Sequence, residues 1–217
     1  MIERAIATGT HGRFLMAPPS APGPAPVLVG FHGYGEDADI QLERLRRIPG
    51  ADRCLLVSIQ GLHRFYQRRT NEVVASWMTR QDRDLAIADN LAYVESVLGA
   101  VDREHPGETR LILTGFSQGV AMMFRTAAAT SRRVDAVIAV GGDVPPEIDH
   151  PALARVRRAL VCHGTRDDWY TSEIFGRDVQ RLREAGVHVD PLEFEGGHEW
   201  SDGVVQAASA FLRERWP

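Results

Sequence analysis

The sequence predicts an α/β fold, with a mostly parallel central sheet and helices on both faces. Three observations lead there. Seven short apolar runs recur along the 217 residues: "RFLMA", "PVLVGF", "CLLVSI", "TRLILTG", "VDAVIAVGG", "ALVCHG" and "VHVDPLEF". Most are continuously apolar and rich in Val, Ile and Leu, the composition of strands covered on both faces. Between them lie longer stretches with the 3.6-residue period of amphipathic helices. Alternation of this kind builds parallel sheets.

Bulk composition narrows the class. A chain of 217 residues, 44% hydrophobic and 25% charged, can bury a sizeable core, and one domain over residues 1–217 is expected. A net charge of −4 gives no reason to expect nucleic acid as a partner. All 25 basic residues are Arg, which we ascribe to coding bias. Cys54 and Cys162 each sit inside an apolar run and read as small buried strand residues, not as a disulfide or a metal pair. No stretch reaches the length of a membrane span, and "MIERAIATGTHGRF" lacks the apolar core of a signal peptide, so a cytoplasmic protein is expected. The oligomeric state is left open, a homodimer included.

Taken in order, "RFLMA" reads as an edge strand, and the Pro-rich "APPSAPGPAP" (residues 17–26) as a turn into the central sheet. "PVLVGF" is followed by the loop "GFHGYGED", and "CLLVSI" by a long aromatic- and Arg-rich loop over residues 61–84. Ile87, Leu91, Val94, Leu98 and Val101 mark one face of a helix. "TRLILTG" is the next strand and "GVAMMFRTAAAT" an Ala-rich helix, with Ser117 on the turn between them. Phe175, Val179 and Leu182 mark another helix, and Val204, Ala208 and Phe211 the last.

Ligands of such sheets bind beyond the carboxyl ends of the strands, and four chemistry-bearing segments fall there. The first, "GFSQG", has the G-x-S-x-G form of a serine held on a sharp strand-to-helix turn. Gly115 and Gly119 leave room for that turn, and the helix N-terminus points free N–H groups at developing negative charge. A serine hydroxyl needs a neighbouring base. His198, in "EFEGGHEW" after a strand, is the candidate; His63 precedes the serine, against the expected chain order.

The base needs an orienting carboxylate. "ALVCHGTRDDWY" offers Asp167 and Asp168, and Asp143 in "VGGDVPP" is an outside candidate. The order serine, acid, histidine is that of α/β-hydrolases. An oxyanion hole would use the backbone N–H of Gln118, directly after the serine, and that of Tyr34 in the H-G loop. His32 and His163, each in an "HG" pair, read as structural histidines.

Together these segments resemble the phospholipase/carboxylesterase family of α/β-hydrolases, the group that includes acyl-protein thioesterases. The resemblance runs from "VLVGFHGYGED" through "LTGFSQGVAM" and "VCHGTRDD" to "GGHEW". It implies a single-domain α/β-hydrolase with no separate lid domain, and hydrolysis of esters or thioesters without metal or cofactor. Its HGxxD motif selects Asp167 over Asp168. The chain departs from the family at "DDWYTS", where an apolar residue and proline commonly follow the acid, and over residues 61–84, where only "SWM" is similar.

The expected function is a short- to medium-chain serine carboxylesterase acting on a small-molecule ester through an acyl-enzyme. A thioesterase or lysophospholipase for longer chains, or a non-catalytic ligand receptor, is the alternative. Phe65, Tyr66, Val73, Val74, Trp77 and Met78 are expected along one wall of an acyl pocket, with Trp169 and Tyr170 opposite. Packing of a long loop onto the core explains the first set equally well. Arg64, Arg68 and Arg69 would attract an anionic group or simply form a solvated face.

Overall fold

Every one of the seven apolar runs contributes a strand to a single sheet. The computed structural model describes residues 1–107 and 110–213. Thr109, the first residue of "TRLILTG", lies outside them. In chain order the elements are β1 (Arg13–Ala17), β2 (Val27–Phe31), α1 (Ala38–Arg46), β3 (Leu55–Gln60), β4 (His63–Tyr66), β5 (Val73–Ser76) and α2 (Arg83–Glu104). They continue with β6 (Leu111–Phe116), α3 (Gln118–Ala129), β7 (Val134–Val140), α4 (His150–Leu153), β8 (Arg158–Gly164), α5 (Ser172–Glu184), β9 (His188–Phe194) and α6 (Asp202–Arg213).

The sheet runs in the order β1–β3–β2–β6–β7–β8–β9. Only β1 is antiparallel to its neighbour. From β2 the chain steps outward to β3, then returns across the sheet through α2 to β6 on the other side. β2 and β6 are therefore adjacent strands whose continuations leave in opposite directions, and a crevice opens beyond their carboxyl ends. The loop after β2 and the turn holding Ser117 both lie at that switch.

Continuous apolar runs still alternate in direction. Val27, Val29 and Phe31 join a core with α2, α3 and α5, whereas Leu28 joins a second core with α1 and α6. The same split sends Leu111 and Leu113 to the first layer and Ile112 to the second. Burial of each such side chain is worth roughly 1.5–3 kcal/mol, so both helix layers are held by alternate residues of the same strands. Pro191, which lacks an N–H to donate, sits in the edge strand β9.

Three elements depart from the sequence reading. α1 carries few apolar residues; it is set instead by the Asp37 carboxylate, which accepts the Ile40 N–H at 2.9 Å as an N-cap. The segment over 61–84 is no open loop, because β4 and β5 pair as an antiparallel hairpin. In α2, Ile87 and Leu91 are only half-buried, and the face is rotated so that Ala86 and Asn90 point inward. Cys54 and Cys162 are buried free thiols, and burial pushes that of Cys162 upward. Among the described residues no helix is long and apolar enough to cross a membrane.

Two glycine substitutions separate close approach from helix propensity. A Cβ on Gly119 would stand 2.2 Å from the Phe31 carbonyl oxygen and 2.5 Å from that of His32. Gly119→Ala is expected to cost more than about 3 kcal/mol, lowering Tm by roughly 6 °C or more. Gly176, exposed within α5, has nothing within 4 Å of that position. Gly176→Ala should stabilise by up to about 1 kcal/mol. Thermal unfolding of the two variants checks both, and equal Tm values would refute the contrast.

Candidate active site

Ser117 occupies a single-residue turn between β6 and α3, with φ 53° and ψ −122°. A residue with a Cβ is rarely found at such a φ, and holding it there costs on the order of 1–3 kcal/mol. The surroundings enforce it. The Ser117 N–H donates to the Val140 carbonyl at 2.9 Å, and the Ser117 carbonyl accepts the Val120 N–H at 2.9 Å. A Cβ at Gly115 would meet the Val120 nitrogen at 2.7 Å, so strand and helix can close on each other only through glycine.

The turn aims the serine at an imidazole. Ser117 Oγ lies 2.8 Å from His198 Nε2, and His198 Nδ1 lies 2.7 Å from Asp167 Oδ2. Oδ1 of Asp167 accepts the N–H groups of Trp169 (2.8 Å) and Tyr170 (3.0 Å). With its side chain 1% exposed and both oxygens engaged, this carboxylate has one free direction, towards the imidazole. Asp168 points to solvent, and so does Asp143. The His198 side chain is 26% exposed, which leaves one side of it open to a ligand.

Behind His198 stands a stack that the motifs did not reveal. Its ring packs on Phe116 at 5.1 Å between centroids, and the Arg44 guanidinium covers the Phe116 ring at 4.2 Å. Arg44 forms a two-pronged ion pair with Glu36, at 2.5 and 2.7 Å. Glu36 Oε2 also accepts the Gly33 N–H at 2.8 Å. One pair of charges therefore joins the histidine's packing face to the loop after β2. Both side chains are more than four-fifths buried, so removing either would strand its partner at a cost of about 3–5 kcal/mol.

The loop after β2 is further pinned by His32. Its ring is buried, with Nδ1–H donating to the Gly33 carbonyl at 2.7 Å and Nε2 accepting the Gly61 N–H at 3.0 Å. Burial holds its pKa below the ordinary 6.5. On the outer side, the Gly35 N–H donates to the Ala75 carbonyl (3.0 Å) and the Ala75 N–H to the Glu36 carbonyl (2.7 Å). Among the described residues, the hydrogen bonds involve the backbone N–H of neither Tyr34 nor Gln118, the latter being one of the orphan donors at the start of α3.

The phospholipase/carboxylesterase sequence profile matches residues 16–215. The chain belongs to the phospholipase/carboxylesterase family. It is a hydrolase of the esterase type. Its backbone is similar to that of esterase PE8, with a TM-score of 0.76 and 22% identity over 94% of this chain and 99% of that one. The Bacillus cereus carboxylesterase follows, with a TM-score of 0.75 and 14% identity over 94% and 95% of the two chains. Zea mays acyl-protein thioesterase 2 has a TM-score of 0.73 and 16% identity over 94% and 99%. At these identities the likeness carries the fold alone.

The cavity lies beyond the carboxyl ends of β6, β7 and β8. It measures about 180 Å³ and is lined by Ser117, Gln118, Gly141, Gly142, Asp143, Trp169, Tyr170, Ile174 and His198. Trp169, expected there, is 82% exposed at the rim. The opposite wall needs correction. Trp77 is fully buried: its indole N–H donates to the His32 carbonyl at 2.8 Å and its ring packs on Phe31. Met78, which like Trp77 follows β5, is buried in the same core. Tyr66 stands on the outer hairpin, 67% exposed, and Phe65 packs against the Tyr34 ring at 5.5 Å without lining the cavity. Arg64 donates to the His11 carbonyl.

The wall formed by residues 141–148 is braced from behind. Arg181 donates to the carbonyls of Val144, Pro145, Pro146 and Ile148, and the fully buried Asp178 accepts the Val144 N–H at 2.9 Å. Burial pushes the Asp178 carboxyl above its ordinary range. Among the described residues no group of three His, Cys, Asp or Glu side chains could hold a metal ion.

The buried imidazole gives a pH signature. Below pH 6.5 the unfolded chain protonates His32 while the folded chain resists, so its stabilisation is full above that pH and is lost as the pH falls. His32→Gln is expected to have a lower Tm at pH 8, with the gap to wild type narrowing towards pH 5. A gap independent of pH would refute this account.

Proposed function

We propose that this hydrolase is a serine carboxylesterase for short- to medium-chain esters, acting through Ser117, His198 and Asp167. One observation carries the reading: the unbroken hydrogen-bonded line from Ser117 Oγ through the imidazole to the Asp167 carboxylate. As Ser117 Oγ attacks the ester carbonyl carbon, His198 Nε2 takes its proton. Asp167 keeps the other ring nitrogen protonated and stabilises the imidazolium. The N–H groups of Tyr34 and Gln118 receive the oxyanion, a contribution of about 3–4 kcal/mol per donor in comparable sites. His198 returns the proton to the leaving alcohol, and water repeats the sequence on the acyl-enzyme to release the acid.

The cavity supports the chain-length assignment. Its volume of about 180 Å³ leaves room for a short acyl group. Trp77 and Met78, buried in the core, add no depth to it.

Hydrolysis of p-nitrophenyl esters from acetate to palmitate tests the proposal. The rate is expected to peak at short or medium chains and to disappear into background in Ser117→Ala. Asp167→Asn, which leaves the imidazole without its anionic acceptor, should lower kcat by about 10⁴-fold. A peak at palmitate would favour the long-chain thioesterase or lipid reading. Unchanged hydrolysis in Ser117→Ala would sink the mechanism.

A further inference from the structure

The side chain of Gln118 plays no part in the mechanism above, which uses only its backbone N–H. Yet its carboxamide makes three contacts, all with one three-residue segment. Oε1 accepts the Trp77 N–H at 2.9 Å and shares the Ser76 hydroxyl (3.2 Å) with the Met78 carbonyl (2.8 Å), and Nε2 donates to that carbonyl at 2.9 Å. The alternation of donor and acceptor fixes the amide in one orientation.

That segment is bonded on its other side to the loop after β2. The Trp77 indole reaches the His32 carbonyl at 2.8 Å, and the neighbouring Ala75 exchanges backbone hydrogen bonds with Gly35 and Glu36 at 3.0 and 2.7 Å. Asn90 holds it from below, donating to the Trp77 carbonyl at 2.9 Å while its own oxygen accepts the Leu62 N–H at 3.2 Å. Residues 75–78 thus form a bar between the two backbone stretches that carry the N–H groups of Tyr34 and Gln118.

We infer that the Gln118 carboxamide is a positioning residue that sets the separation of the two oxyanion donors, by tying the serine turn through Ser76, Trp77 and Met78 to the loop of Tyr34. The inference rests on the esterase reading given above. A role confined to filling space would be met by any side chain of equal volume. The positioning role requires both an acceptor for the Trp77 N–H and a donor for the Met78 carbonyl. Gln118→Glu keeps the acceptor but sets a carboxylate oxygen against the Met78 carbonyl. Gln118→Met keeps the volume and loses every contact.

Because the donors act on charge that appears only in the tetrahedral state, their displacement changes kcat and leaves ground-state binding in place. The test measures kcat and KM for p-nitrophenyl acetate, together with inhibition by phenylboronic acid. That acid forms a B–O bond to Ser117 Oγ, whose proton passes to His198, and so produces a tetrahedral anion in the same position. In both variants kcat is expected to fall by about ten- to hundredfold. KM should stay within about twofold, and the boronate Ki should rise in proportion to the loss in kcat/KM.

Should Gln118→Met fail to fold, Ser76→Ala, which removes one contact to Oε1, should show a smaller loss of the same kcat-only kind. Folded Gln118→Glu and Gln118→Met proteins with kcat within twofold of wild type would overturn the inference, as would a fall in kcat with unchanged boronate affinity. Hydrolysis that persists in Ser117→Ala, run alongside, would instead overturn the parent reading.

Discussion

The first turn of α3 rests directly on the end of β2, backbone against backbone, and the rest of the site depends on that contact. Gly119 has room for a hydrogen and nothing larger between itself and the carbonyls of Phe31 and His32. The approach presses the serine turn against the neighbouring strand at the point where the sheet changes direction. It accounts for the positive φ of Ser117, since a relaxed turn would lift α3 away from β2. It also brings the N-terminus of α3 against the start of the loop after β2.

Much of this was legible in the sequence because the signals are local. Each strand of the main sheet coincides with one apolar run, and the serine turn announces itself through flanking glycines. The HGxxD spacing likewise distinguishes Asp167 from Asp168, and the fold supplies the cause, turning the first inward onto two backbone N–H groups while the second meets water. The remainder needs the third dimension. The sequence allows Trp77 either a pocket wall or core packing, and the fold places it in the core, where its indole finds a carbonyl. The Glu36–Arg44 pair spans eight residues across a loop and helix, and the Gln118–Trp77 contact spans 41. Polar pairs at such separations leave no periodic trace. α1 leaves only a weak hydrophobic signal, with a capping aspartate and three buried apolar positions.

Two kinds of surface meet at the mouth. Behind it, buried polar groups from His32, Asn90, Asp167 and Asp178 bond to backbone or side-chain partners, and a low-dielectric setting makes each such bond costly to break. In front, Tyr34, Tyr66 and Trp169 are more than three-fifths exposed. The family resemblance is strong at the first and departs at "DDWYTS" and residues 61–84, both of which supply exposed residues near the mouth.

His198 reaches the serine across 81 positions of chain and the aspartate across 31. The histidine arrives on the loop that follows β9, the last strand of the chain, docked at the far edge of the sheet. Contacts of such long range are among the last that a folding chain can close, since the intervening loop entropy must be overcome first. On the mechanism proposed above, a partly folded or still growing chain lacks the means to activate the serine until that loop is docked. Secondary structure can therefore recover ahead of hydrolysis during refolding, which makes catalytic turnover a late and selective reporter of the completed fold.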